Sequence, residues 1–253
     1  MSIKILCNSN FNHSAEISLR QLATEGIPAA AIVLYRGRNT VATLPSRTVC
    51  IKSFRRPGFF KAVLYGFFRK PKAVRAYTNA EKLRSLGINT PEPYGAVVCR
   101  QAGLLRDSYY VCRQLNGWHH LRGIEKRPDF DALAEALAAF MLRLHRRGVL
   151  MKDFSQGNVL FQQTKNGYEF ALVDINRMEF SVTDRRRLLD NFGAALDTEE
   201  AMLTLAEKYV ALAHDDEDVP APETLVGIFR NRQAFLRRKR RLKEYIKGKK
   251  KKK

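Results

Sequence analysis

The chain has 253 residues, 45% of them apolar, enough to build one large domain or two close lobes around a real core, which excludes a disordered protein. Lys plus Arg number 45 against 25 Asp plus Glu, a net charge of +20, and residues 230–253 hold fourteen basic residues and one acidic, or +13 of it. Cys7, Cys50, Cys99 and Cys112 form no C-x-x-C pair and follow no secretory leader, so reduced thiols and a cytoplasmic address are expected, and no apolar run approaches the ~20 residues that cross a bilayer.

Ile3 to Leu6 reads as a short strand, followed by a helix from about Ser14 that Gly26 and Pro28 end. Strand periodicity then takes over at Ala31 to Tyr35, Thr40 to Leu44 and Arg47 to Phe54, an antiparallel meander with its first turn at Arg36-Gly37-Arg38-Asn39. Helices are predicted at Pro57 to Phe68 and Lys72 to Leu86, the second stopped by Gly87 with Pro91 and Pro93 beyond, and strands at Tyr94 to Cys99 and Asp107 to Leu115. After Pro128, Leu133, Leu137, Phe140, Met141 and Leu144 recur at steps of three and four, an amphipathic helix closed by Gly148. Val159 to Phe161 and Phe170 to Val173 flank an Asn166-Gly167 hairpin turn. Everything after Asn176 reads as helix: Thr183 to Leu196, Glu199 to His214, and Pro222 onward into the lysine run.

The organisation expected is α+β, with a strand-rich N-terminal lobe, a link near Asn116 to Gly123, a mainly helical C-terminal lobe and a cleft between them. Residues 1–30 form an extension on the first lobe, 31–115 that lobe, 116–228 the second lobe, and 229–253 a basic helix and tail.

The sharpest chemical signal is Met151-Lys152-Asp153-Phe154-Ser155-Gln156-Gly157-Asn158, a loop that follows the amphipathic helix and precedes a strand. An Asp and an Asn at this spacing supply a proton acceptor and a neutral oxygen ligand, and Asp174, emerging from the other arm of the hairpin, adds a carboxylate. Two such oxygens suit magnesium, which takes one or two carboxylate-type ligands plus phosphate oxygens and water. The segments match the kinase catalytic loop H-R-D-x-x-x-x-N and the later D-F-G, while Val49-Cys50-Ile51-Lys52 matches V-A-I-K on the third strand. Either polar residue alone would more often cap a turn; the order around a helix and hairpin is what favours chemistry.

With Tyr35-Arg36-Gly37-Arg38-Asn39-Thr40-Val41, Lys52 to Pro57, Lys72 to Tyr77, Gly87 to Pro93 and Val173 to Met178, these segments resemble the lipopolysaccharide kinase (Kdo/WaaP) family over roughly residues 31 to 195. The resemblance implies a bilobal protein-kinase-like fold and an ATP- and Mg2+-dependent kinase. Its acceptor would be a sugar hydroxyl of the lipopolysaccharide inner core, Kdo or heptose, reached from the cytoplasmic face of the inner membrane. It implies Asp153 as base, Lys52 at the α- and β-phosphates with Glu81 as its candidate partner, Gly37, Arg38, Asn39 and Val41 around the nucleotide, and Asn158 and Asp174 at the metal. Four departures stand out: one glycine, Gly37, where protein kinases use three; Met151 in place of the loop histidine; Ser155 where Ser/Thr protein kinases carry lysine; and Glu81, about one turn later than the glutamate that pairs with the strand lysine.

The basic tail, with Phe229, Phe235, Leu236 and Leu242, reads as a peripheral contact for an anionic membrane, and nucleic acid would satisfy the same charge. Arg55 to Lys70 mixes Phe59, Phe60, Phe67 and Phe68 with bases, either an interfacial segment or a helix packing its aromatics against the lobe. Two competing readings are a kinase of protein or RNA-associated targets, which Ser155 disfavours, and a pseudokinase scaffold, which the joint presence of Lys52, Asp153, Asn158 and Asp174 disfavours.

Overall fold

The computed structural model describes residues 2–7, 19–216 and 218–251. By packing, the chain divides into two units, Met1–Trp118 with Ala171–Arg177, and His119–Phe170 with Met178–Lys253. Ala171–Arg177, the stretch carrying Asp174, therefore belongs with the first unit, although it begins in the last two residues of a hairpin strand, Gly167–Leu172.

The first unit is built on a six-stranded antiparallel sheet of β1 (Ser2–Cys7), β2 (Ile32–Arg36), β3 (Thr40–Thr43), β4 (Val49–Phe54), β5 (Pro93–Gln101) and β6 (Leu104–Arg113), in the order β1-β5-β6-β4-β3-β2. The expected meander of β2 to β4 is present, and the N-terminal strand extends the sheet by pairing with β5, Ser2 opposite Arg100 and Cys7 opposite Gly95. Helix α1 (Leu19–Glu25) covers one face, where Leu19, Leu22 and Ala23 meet Val49, Ile51, Val97, Cys99, Tyr109 and Val111. The start predicted near Ser14 lies outside the described residues. Alternation along β4 sends Val49 and Ile51 into that core, so the period of two turns Lys52 to the opposite face.

Helix α2 (Phe59–Val63) runs into a π-helical turn (Leu64–Phe68), then α3 (Lys72–Ser85) buries Ala73, Val74, Ala76, Tyr77, Ala80 and Leu83 at helical spacing. Gly87 ends α3 as predicted. At φ +66 its N–H bonds Arg84 O while Ile88 N–H reaches back to Leu83 O, closing the helix with two carbonyls satisfied.

In the second unit β7 (His119–His120) and α4 (Phe130–Arg146) precede β8 (Leu150–Met151) and the hairpin β9 (Val159–Thr164) and β10 (Gly167–Leu172). After β11 (Met178–Glu179) come α5 (Arg185–Leu188), a 3-10 turn (Leu189–Ala194), α6 (Glu199–Leu212) and α7 (Pro222–Lys251). The two-residue strands β7, β8 and β11 are not readable as periodicity, and β11 stands where helix alone was expected. The single helix predicted from Thr183 to Leu196 is likewise broken, into α5 and the 3-10 turn, with Asp184 accepting from Arg187 N–H as the cap.

Phe140 of α4 stacks on Phe170 of β10 at 5.3 Å, and Phe192 meets Tyr209 of α6 edge-on at 5.0 Å. Gly148 closes α4 by the geometry seen at Gly87: φ +62, its N–H to His145 O and Val149 N–H to Leu144 O. A Cβ there would also come 2.9 Å from Val182 O, so glycine is required on two counts. Helix α7 buries Leu225, Val226 and Phe229, whereas Phe235, Leu242 and Tyr245 farther along are exposed. Phe229 is thus a packing residue, removed from the apolar face expected of the tail.

His145 is buried between α6 and the 3-10 turn. Asn191 Nδ2 donates to its Nε2 at 3.2 Å, which leaves the proton on Nδ1 to be donated to Tyr209 Oη at 2.8 Å. Burial, reinforced by the Arg185 charge, pushes its pKa down to about 3. Below its ordinary value of 6.5 the unfolded chain binds a proton that the folded chain excludes, so stability falls as pH drops from 6.5 toward 3. Urea unfolding across this range should show a slope steeper in the parent than in His145→Gln by up to ~1.4 kcal/mol per pH unit. Equal slopes would mean that His145 is charged in the folded state.

Candidate active site

Lys52 lies between Val41 of β3 and Tyr110 of β6 in the strand register. Its side chain is 15% exposed, and Nζ sits 2.7 Å from Asp174 Oδ1. An ammonium this far from water needs an anion, and Asp174 supplies it. Sequence therefore named both members, which are 122 positions apart, and the first unit brings them together.

Asp174 is fixed by its neighbours. Leu172 N–H donates to Asn89 O, Thr90 Oγ1 donates to Leu172 O at 2.7 Å, and Asn79 Nδ2 on α3 donates to Ile175 O at 2.7 Å. Asp174 itself is held at φ +54, a left-handed conformation costly for a residue with a Cβ and concentrated at functional sites. Asn176 Nδ2 donates to Asp174 Oδ1 at 2.5 Å. Among the described residues no group of three His, Cys, Asp or Glu side chains could chelate a metal. The Asp174 carboxylate, 36% exposed, is a hard oxygen of the kind magnesium takes.

Asp153 and Asn158 stand in the second unit, in the loop between β8 and β9. Pairing of Met151 with Met178 fixes its start, and Asn158 N–H to Ser155 O at 2.8 Å closes a turn before its end. Asn158 Nδ2 donates to Asp153 O at 2.9 Å, which commits the amide nitrogen to the loop. Glu179 takes ion pairs from Lys152 and Arg187, clamping the residue beside Asp153. Met151, where a kinase histidine is usual, is buried, consistent with a packing role.

The β2–β3 turn holds Gly37, Arg38 and Asn39. Gly37 N–H donates to Asn39 O at 3.1 Å, Asn39 Oδ1 accepts from Arg55 N–H at 3.3 Å, and a Cβ on Gly37 would collide with the Tyr35 hydroxyl at 2.3 Å. Glu81 is exposed on α3 and bonds Tyr77, whose pKa is raised by burial and by that carboxylate. The ion pair seen at Lys52 is with Asp174.

Lys72 was missed. It lies in the first turn of α3, over the Phe54 ring at 6.0 Å with Lys52 on the same ring at 5.6 Å. Burial lowers its pKa; Asp174 opposes that, while Arg38, Arg75 and Lys52 add to it. A helix-terminal lysine carries no signal in sequence, because only the fold shows which surface it meets. Three cations, Lys52, Lys72 and Arg38, thus share the field around one carboxylate, a local excess of positive charge suited to a polyphosphate.

A lysine paired with a D-x-x aspartate behind an antiparallel sheet, and a D-x-x-x-x-N loop after a helix, define the protein-kinase-like class. Residues 56–200 match the lipopolysaccharide kinase (Kdo/WaaP) family. The chain belongs to that family and is an ATP-dependent kinase; Lys52 and the Gly37 turn fall just ahead of the matched span. No curated protein sequence matches it. The structure of WaaP in complex with acyl carrier protein is similar at a TM-score of 0.59 and 16% identity, over 91% of this chain and 98% of that one. Rio2 kinase from Chaetomium thermophilum, in an ADP/Mg2+-phosphoaspartate complex, aligns at 0.43 and 15% over 85% and 75%. The bifunctional kinase-methyltransferase WbdD aligns at 0.47 and 12% over 78% and 43%.

Lys72→Met should raise the KM for ATP about 3- to 10-fold, the scale of one partly screened charge contact, with little change in folding stability. Since the Lys72 pKa is lowered, parent affinity should also fall at a less alkaline pH than an ordinary lysine would allow, and the variant should lack that limb. An unchanged KM and pH profile would remove Lys72 from the site.

Proposed function

We propose that this kinase transfers the γ-phosphoryl of ATP to a hydroxyl of a lipopolysaccharide inner-core sugar, Kdo or heptose, at the cytoplasmic face of the inner membrane. The observation that carries the reading is the 2.7 Å Lys52–Asp174 pair in a chain of this family. Lys52 contacts the α- and β-phosphates, aided by Lys72, and Arg38, Asn39 and Val41 border the nucleotide. Asp153 orients the acceptor hydroxyl and takes its proton as the hydroxyl oxygen bonds to the γ-phosphorus and the bond to ADP breaks. Magnesium, held by Asn158 and Asp174, would neutralise charge on the phosphoryl oxygens.

Ser155 rather than lysine after Asp153 supports a sugar over a protein acceptor. The exposed outer half of α7, with Phe235, Leu242 and Tyr245 among its bases, supports a peripheral membrane contact, each base near anionic headgroups contributing ~1 kcal/mol. Among the described residues no helix is long and apolar enough to cross a membrane.

In the host, Asp153→Ala should yield lipid A-core lighter by phosphate, and in vitro its kcat should fall about 100- to 10,000-fold with the ATP KM little changed. A phosphate count identical to the parent's rules out this acceptor.

A further inference from the structure

The segment between β4 and α3 exposes four phenylalanine rings on the first unit. Phe59, Phe60, Phe67 and Phe68 are 68%, 87%, 67% and 80% exposed, while the same helix buries Ala62 and packs Tyr65 beside Val74, Val98 and Leu105. The helix thus already has its core contact, and it is a different set of side chains from these four rings. Surface phenylalanines scattered singly are ordinary; four within ten residues are not.

The backbone explains why they act together. Eight residues separate Phe59 from Phe67, which in an uninterrupted α-helix would leave the two pairs about 80° apart around the axis. The π-helical turn, marked by Arg69 N–H to Leu64 O at 2.8 Å, adds one residue to a turn and reduces the offset to about 20°. The rings are grouped in two edge-on pairs, with centroids 5.9 Å apart for Phe59 and Phe60 and 6.5 Å for Phe67 and Phe68.

The platform is also anchored. Arg56 forms a bidentate pair with Asp107 of β6 at 2.5 and 2.9 Å just before α2. At the other end the Phe67 ring overlies the β5–β6 turn, so close that a Cβ on Gly103 would come 3.3 Å from its Cζ. Residues 55–80 include seven basic side chains and no acidic one.

We propose that this aromatic platform docks on an anionic lipid bilayer, the four phenylalanines entering the acyl boundary and Arg55, Lys61, Arg69 and Lys70 meeting headgroup phosphates. Charge decides the occupant: rings framed by cations from their own segment suit a surface that is apolar within and anionic at its rim. The inference rests on the membrane-face reading above, but its test does not use phosphotransfer.

Full-length parent and Phe60→Ser/Phe68→Ser are sedimented with phosphatidylcholine vesicles containing phosphatidylglycerol. Measurements at low salt and at about 1 M salt, where the screening length is about 3 Å, separate ring insertion from attraction by the basic tail. The double variant should partition about 10-fold or more weakly, equivalent to ~1.4 kcal/mol, with the deficit persisting at high salt. Both side chains are exposed, so its thermal unfolding should match the parent's. Equal partitioning overturns the proposal. So does light scattering that finds a parent dimer made monomeric by the double variant while vesicle binding is unchanged, since the platform would then be a self-association surface. A chain that phosphorylates no inner-core sugar but shows the vesicle deficit would refute the acceptor and keep the platform.

Discussion

The ion pair between Lys52 and Asp174 is the contact around which the catalytic unit is arranged. A lysine turned to the non-core face of β4 and largely shielded from water is costly to the fold without a counter-charge. The chain meets this need by returning residues 171–177 from the hairpin to the first unit, stitched there through Asn79, Asn89 and Thr90. The left-handed backbone at Asp174 shows how strongly its position is specified, because strain of that kind persists only where surrounding bonds over-determine it.

Electrostatics at the pair are unbalanced toward positive. Lys72 is partly desolvated and repelled by Arg38, Arg75 and Lys52, and a single carboxylate offsets them. Such an arrangement is costly in the empty protein and favourable once a polyphosphate enters, which is the differential interaction a nucleotide site needs. The second unit follows another logic: the Asp153 loop is held by backbone turns, the Asn158 amide, the β8–β11 pair and the Glu179 clamp, so its chemical groups are positioned with little burial of charge.

Much of this was legible in the sequence because it is written in local rules. Glycines after Leu86 and Arg147 predicted two helix ends that carry the same closing geometry, and Asn166-Gly167 predicted the hairpin turn, with Gly167 at φ +109. Lys52 and Asp174, singled out by kinase spacing, are the pair seen 2.7 Å apart. What was hidden depends on tertiary placement. Lys72 and Asn79 are unremarkable helix polars until α3 docks, two-residue strands such as β8 and β11 have no period, and the π turn is indistinguishable from α-helix in composition. Phe229 illustrates the converse error, an apolar residue assigned to an exposed face that packing buries.

In the mechanism proposed, Lys52 and Asp174 hold the nucleotide and its metal. Calorimetric titration of ATP into the full chain, with and without Mg2+, tests it directly. Magnesium should tighten binding in the parent, Asp174→Ala should lose this increment by about 10-fold or more while still binding metal-free ATP, and Lys52→Met should weaken both. An increment of parental size in Asp174→Ala would contradict it.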